Sequence, residues 1–202
     1  MPFLSASLRT HASEQYSPYF LALLLTLASG LIGGLSAWAG LKLADRAALP
    51  MPLLRNWESG TLTAPPIWIR LLSVSMLAGL MAGGGIALLV HALPIPRNPG
   101  SLSARCLSLF FAATVTEVLT HLFAMSGFQV LFRRTWLSIL LSSFVFVAIF
   151  HAGQVGGPAV TLFVLAANFL FATLTGWLYS RYGFEAAMFT HAIGHLIVVG
   201  VG

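Results

Sequence analysis

Long apolar stretches, separated by short polar segments or by glycine and proline, run the length of this chain. The hydrocarbon core of a bilayer, about 30 Å thick, needs about 20 consecutive apolar residues for one helical crossing. Six stretches approach or exceed that length, at residues 19–41, 68–93, 106–132, 136–154, 158–179 and 184–201. The pattern therefore predicts an all-α fold, a polytopic transmembrane helical bundle of about six spans.

The segments between these stretches carry the usual signals of chain breaks. Residues 43–66 contain four prolines and are predicted to form a loop. Gly156, Gly157 and Pro158 predict a break between the fourth and fifth helices, and residues 181–183 predict a tight turn before the sixth. We interpret the chain as one transmembrane domain over residues 1–202.

Charge supports a membrane environment. Only 7% of the residues are charged, whereas a soluble domain carries about 25%. Lys and Arg outnumber Asp and Glu by ten to five, but they stand singly or in pairs in short loops, which indicates control of topology rather than nucleic-acid binding. We expect a multi-pass protein of the bacterial inner (cytoplasmic) membrane, with the lipid bilayer as a partner and no nucleic acid. Seven basic residues fall on the predicted inner side: Lys42, Arg46, Arg55, Arg70, Arg133, Arg134 and Arg181.

Ionisable residues inside apolar stretches are costly in lipid and mark candidate functional sites. Glu117 is the one acid deep in such a stretch, and it shares this setting with His121, His151, His191 and His195. Glu117 and His121 are four residues apart, as are His191 and His195, so each pair lies on one helix face. We expect the faces of three helices to meet at a single inward-facing point.

Two hydrolytic chemistries fit this set of side chains. In the first, Glu117 is a general base that activates water, and the histidines stabilise the oxyanion of a tetrahedral intermediate. In the second, a divalent metal such as zinc activates the water, held by Glu117, His151, His191 and His195. Two other classes stay open from the residues alone, a transporter or proton relay and a membrane protein with histidine-ligated haem.

Three segments carrying these residues resemble the CAAX-protease and bacteriocin-processing (CPBP, formerly Abi) family of intramembrane proteases. That family has a Glu-Glu pair with an Arg four residues after the second Glu, a Phe-x-x-x-His segment, and a final His-x-x-x-Asn or Asp. The corresponding segments here are TEVLTH at 116–121, VAIFH at 147–151 and HAIGH at 191–195. The resemblance covers about residues 110–200 and implies a four-helix catalytic core at 104–202, preceded at 1–103 by a tail, two scaffold helices and loops.

The chain departs from the family pattern at four positions. Thr116 stands in place of the first Glu, which is usually assigned as the base, so only Glu117 can take that role here. His121 replaces the Arg, His195 replaces the final Asn, and Val147 replaces the Phe. The two replacements by histidine make a zinc-dependent variant more plausible than in a typical member.

The resemblance implies hydrolysis of a peptide bond in a membrane-associated or lipidated protein or peptide. The candidate catalytic residues are Glu117, His121, His151, His191 and His195. Zinc is a possible cofactor under the second chemistry. The alternative is a non-catalytic membrane protein that keeps the fold, for example an immunity or partner protein, because the first Glu is missing.

Overall fold

The structure, a computed structural model, describes residues 18–61, 64–92, 101, 103, 111, 113–150 and 157–201. All regular structure in this part of the chain is helical. We number seven helices in chain order: α1 Pro18–Arg46, α2 Pro52–Glu58, α3 Pro65–Ala92, α4 Ala113–Phe132, α5 Thr135–Phe150, α6 Pro158–Tyr182 and α7 Phe184–Val201.

The predicted all-α transmembrane bundle is confirmed. Each of the six apolar stretches contains a helix. Within the described residues, four segments are long and apolar enough to cross a membrane, namely Thr26–Arg46, Pro65–Leu88, Ala113–Phe132 and Pro158–Tyr182. Helices α5 and α7 are apolar but shorter. Large apolar side chains are exposed on the outside of the bundle, for example Leu88 and Leu131, as expected for surfaces that face lipid.

The prediction of an uninterrupted loop at residues 43–66 is wrong. Helix α1 continues to Arg46, and α2 forms within the segment. Proline is well tolerated in the first turn of a helix, where its missing N–H would have no partner, and Pro52 and Pro65 begin α2 and α3 in this way. The prolines of this segment therefore start helices as well as separating them.

Glu185, at the start of α7, joins α7 to α2 by hydrogen bonds. Its Oε1 accepts hydrogen bonds from the backbone N–H groups of Leu53 (2.9 Å) and Leu54 (2.8 Å). The Phe184 N–H also donates to the Pro50 carbonyl at 3.3 Å. Glu185 is buried, so its carboxylate satisfies the otherwise unpaired N–H groups of the first turn of α2.

Helices α3 and α7 run parallel and pack closely because two glycines of α3 face α7. A Cβ added at Gly83 would lie 2.7 Å from the Cα of Gly194, and one at Gly79 would lie 2.7 Å from Cγ2 of Ile193. Ser75 donates to the carbonyl of Ala186 at 3.1 Å, one turn earlier on the same face. Small residues allow this approach between membrane helices, where apolar burial against lipid contributes little to association.

Gly83→Ala is expected to destabilise the bundle by about 1–3 kcal/mol, because the added methyl group overpacks the backbone of α7. Gly84→Ala is the matched control, since a Cβ at Gly84 would meet nothing within 4 Å. Thermal unfolding in detergent measures the difference. Equal stability of the two variants would show that the close crossing contributes nothing.

The helix directions bring the basic residues to one end of the bundle. Helix α1 runs parallel to α4, since a Cβ at Gly40 would touch Leu122 and one at Gly127 would touch Leu43. Helix α4 is parallel to α6 in turn, with Ser126 hydrogen-bonded to Tyr179. Helices α1, α4 and α6 therefore end where α3, α5 and α7 begin. We call this the basic end, because it carries the seven residues assigned above to the inner side.

Candidate active site

A π-helical segment, Val118–Met125, begins directly after Glu117 in α4. Most globular and membrane helices are α-helical throughout, and π-helical turns occur disproportionately at functional sites. Thr116, Glu117, Thr120 and His121 are all buried here. The Thr116 hydroxyl donates to the carbonyl of Ala113 (3.0 Å), and the Thr120 hydroxyl donates to that of Thr116 (2.6 Å). Both threonine hydroxyls therefore donate to the backbone of their own helix, and Glu117 and His121 make the contacts to other helices.

Glu117 lies between two histidines. Its side chain is 1% exposed, its Oε1 is 2.7 Å from Nδ1 of His191 in α7, and its Oε2 is 2.7 Å from Nδ1 of His121. The contact to His191 has hydrogen-bond geometry, whereas no hydrogen bond from the described residues reaches Oε2. One carboxylate oxygen is thus held by a hydrogen bond across the helices, and the other keeps a lone pair for a proton.

His121 is held from both sides of its ring. Its Nε2–H donates to the carbonyl of Ala172 in α6 at 3.1 Å, and since a carbonyl can only accept, Nε2 carries a proton. Its Nδ1 lies 3.2 Å from the hydroxyl oxygen of Thr120 and near Glu117. Gly176 provides the space, because a Cβ there would lie 3.2 Å from Nε2 of His121. The ring orientation is therefore fixed before any substrate binds.

Aromatic rings enclose His191. The ring of Phe171 meets it edge-on at a centroid distance of 4.9 Å, and that of Phe146 does so at 6.0 Å. The His195 ring stacks on it at 4.7 Å with an angle of 22° between the planes. Three helices, α5, α6 and α7, supply these contacts. Away from Glu117, His191 is therefore packed against two phenylalanine rings and one imidazole ring.

The structure brings together four of the five predicted site residues. Glu117, His121 and His191 are in direct contact, and His195 joins them through its ring contact with His191. His151 lies outside the described residues. The sequence did not indicate the parts played by the Ala172 carbonyl, Gly176 and the two phenylalanines, because none of them carries a polar side chain.

The contacts between Glu117 and the two Nδ1 atoms are too short for the paired atoms to share a zinc ion. Zinc–nitrogen and zinc–oxygen bonds of about 2.0–2.2 Å in a tetrahedral arrangement separate the two donor atoms by about 3.3 Å. Both Nδ1–carboxylate distances at Glu117 are 2.7 Å, which is shorter. Within the described residues, no group of three or more His, Cys, Asp and Glu side chains is arranged to hold a metal ion. These distances exclude an ion shared between Glu117 and the Nδ1 atom of His121 or His191, but the predicted set also contains His151, which lies outside the described residues, so the zinc site stays a prediction.

The fold and these contacts define an integral membrane protein with a carboxylate–histidine site buried inside its helical bundle. Residues 98–197 match the model of the family described as type II CAAX prenyl endopeptidase Rce1-like. This match confirms the resemblance to CAAX proteases inferred from the motifs. Comparison with curated proteins and with solved structures gives no match.

The family match supports a protease that acts on a membrane-associated protein substrate. The matched residues include Glu117 and all the histidines of the candidate site. They also include helices α4 to α6 and most of α7. The site described above therefore lies in the part of the chain that carries the family signature.

Proposed function

We propose that this protein is an intramembrane endopeptidase in which Glu117 activates the water that hydrolyses a peptide bond. The observation that carries the proposal is the geometry of Glu117, buried at the centre of the bundle with Oε1 held by His191 and Oε2 beside His121. Burying a carboxylate in a membrane helix costs free energy, and such residues therefore mark candidate functional sites. The match to a CAAX endopeptidase family supports the choice of peptide hydrolysis.

The two carboxylate oxygens have different parts in this mechanism. Oε1 accepts the hydrogen bond from His191, which fixes the plane of the carboxylate. Oε2 accepts a proton from water, whose oxygen then attacks the carbonyl carbon of the scissile bond. The same proton passes from Glu117 to the leaving amine as the carbon–nitrogen bond breaks, so Glu117 returns to its starting state. Thr116 takes no part, because its hydroxyl is bonded to its own helix.

The histidines stabilise negative charge in the proposed transition state. His191 uses Nδ1 for Glu117, and no hydrogen bond from the described residues reaches its Nε2. Because Nδ1 donates to Glu117, Nε2 carries a hydrogen only in the imidazolium form of His191, and in that form it can donate to the oxyanion that forms on the substrate carbonyl. Preorganised donors of this kind contribute strongly in a site that excludes water, because they do not reorganise as charge develops. His195, stacked on the same ring, and His151 are the further candidates for this role.

The substrate class follows from the family and the membrane setting. We propose that the protein cleaves a membrane-associated or lipidated protein or peptide, presented to a site inside the bilayer. The assay is release of a fluorescent fragment from a lipidated peptide by the purified full-length chain in liposomes. Cleavage above that of empty liposomes supports the proposal. A non-catalytic partner protein would bind such a peptide without cleaving it.

Cleavage is expected to continue in the presence of a chelator, because Oε1 of Glu117 accepts a hydrogen bond from His191 and Nδ1 of His121 lies too close to Oε2 to share an ion with it. The experiment combines metal analysis of purified protein with cleavage rates measured before and after incubation with EDTA. His195→Ala is the variant to compare with wild type, since His195 belongs to the predicted zinc set and stacks on His191. Stoichiometric zinc that is lost in His195→Ala, with activity lost to EDTA and restored by zinc, would contradict the metal-free mechanism.

A further inference from the structure

Two arginines at the basic end of the bundle open onto one small cavity. Arg70 comes from the second turn of α3, and Arg181 comes from the last turn of α6. The cavity has a volume of about 190 Å³, and its other walls are Pro52, Ile67, Leu71 and Tyr182. It lies apart from Glu117 and His191, and the proposed hydrolysis does not use it.

Tyr182 holds one of the two guanidinium groups in place. The Cζ of Arg70 lies 5.1 Å from the centroid of the Tyr182 ring, within the range of a cation–π contact. The Trp177 ring packs edge-on against Tyr182 at a centroid distance of 5.9 Å, which fixes the orientation of that ring in turn. Since Arg181 is the residue before Tyr182 in the chain, the stacking keeps the two arginines close to each other. A site ordered in this way loses little entropy on binding.

The charge of the cavity is positive and uncompensated. Its lining carries two guanidinium groups and no carboxylate. Among the described residues, neither Arg70 nor Arg181 forms an ion pair, whereas Arg55 at the same end pairs with both Asp45 and Glu58. Guanidinium groups bind phosphate oxygens well because their N–H groups form a planar fork. The complementary ligand is therefore an anion with several oxygen atoms.

The surroundings of the cavity are those of a membrane–water interface. Ile67 and Leu71 form its apolar wall, and on the same helix Ile69 is 64% exposed and Leu72 is 42% exposed, as expected for residues in contact with lipid. Trp68, also on this turn of α3, is a residue type that favours the level of the headgroups. A phosphate at the two arginines would thus have acyl chains directly beside apolar side chains of α3.

We propose that this cavity binds the phosphate of an anionic phospholipid headgroup at the basic end of the bundle. Basic pockets between membrane helices bind such headgroups, and the cytoplasmic leaflet, to which the positive-inside rule assigns this end, contains anionic lipid. The two guanidinium groups contact the phosphate oxygens, and the acyl chains lie along α3. Each arginine near the surface is expected to strengthen binding about fivefold.

The test is native mass spectrometry of the full-length chain in detergent, titrated with phosphatidylglycerol, with phosphatidylcholine or with inorganic phosphate. Wild type is expected to bind one phosphatidylglycerol more tightly than phosphatidylcholine. In R70Q/R181Q that affinity should fall about 25-fold, the product of the two single losses. The matched control is R133Q/R134Q, which removes two exposed arginines from the same end. It should bind phosphatidylglycerol like wild type.

Several results would overturn the proposal. Equal losses in the two double variants would show a general effect of positive charge, and no loss in R70Q/R181Q would show that the cavity binds no lipid. If inorganic phosphate alone bound as tightly as phosphatidylglycerol, the ligand would be a free anion. If R70Q/R181Q weakened binding of a peptide with a free carboxyl terminus but not of phosphatidylglycerol, the ligand of the cavity would be a peptide carboxylate and not a lipid. Should R70Q/R181Q fail to fold, the single variant R181Q carries the test, with a loss of about fivefold.

Discussion

Glu117→Gln is expected to lower the rate of peptide cleavage about 10²–10⁴-fold, the usual range for loss of a general base. Glutamine has the shape of glutamate but cannot accept a proton from water at this position. Its amide oxygen can still accept the hydrogen bond that His191 donates to Oε1, so the contact between α4 and α7 persists. The measurement is cleavage of a lipidated peptide in liposomes, with the helical content checked by circular dichroism.

Glu185→Gln is the control for Glu117→Gln, because Glu185 is the other buried acid among the described residues. Its Oε1 accepts hydrogen bonds from Leu53 and Leu54, and the amide oxygen of glutamine can accept them as well. Among the described residues, no hydrogen bond or ion pair joins Glu185 to His121 or His191. Cleavage by Glu185→Gln should match wild type, and a loss equal to that of Glu117→Gln would show that any change to a buried acid inactivates the bundle.

His191→Ala should lose both activity and stability. The activity should fall about 10²–10³-fold, as when one oxyanion donor is removed. The stability should fall by about 3–5 kcal/mol, because removing one partner of a buried charged pair leaves the Glu117 carboxylate without its hydrogen bond. Cleavage rates and thermal unfolding of the same preparation measure the two effects.

His191→Asn separates the two roles of His191. The Asn side-chain amide can take the place of Nδ1 and donate to Oε1 of Glu117, but it has no second nitrogen to reach the substrate. We expect His191→Asn to unfold close to the wild-type temperature and to cleave as slowly as His191→Ala. Wild-type cleavage by the stable His191→Asn variant would show that the imidazole acts only as a structural partner of Glu117.

The sequence predicted those parts of the architecture that depend on the length of its apolar stretches. Apolar stretches of about 20 residues have few alternatives to membrane helices, because the backbone must satisfy its own hydrogen bonds in lipid. Helix α2 was missed because Pro52 and the other prolines of residues 43–66 are also typical of chain breaks. Its first turn is hydrogen-bonded to Glu185, which is distant in sequence from Leu53 and Leu54 and becomes their partner only in the folded bundle.

The sequence predicted which ionisable residues belong to the candidate site, but it did not predict how their side chains are arranged. The spacing of four residues placed Glu117 and His121 on one face, and the structure shows them in contact. No local signal could show that His191 bonds to Oε1 while Oε2 keeps a lone pair, since this depends on how α4 packs against α7. The π-helical segment after Glu117 was missed for a similar reason, as its hydropathy does not differ from that of an α-helix.

The central claim is that Glu117 activates water for peptide hydrolysis inside the bundle. The most direct test is to carry out the cleavage reaction in water labelled with heavy oxygen and to measure the masses of both fragments by mass spectrometry. The account predicts one heavy oxygen atom in the new carboxylate of the amino-terminal fragment made by wild type and by Glu185→Gln, and no such fragment above background with Glu117→Gln. Labelled fragment formed at the wild-type rate by Glu117→Gln would contradict it.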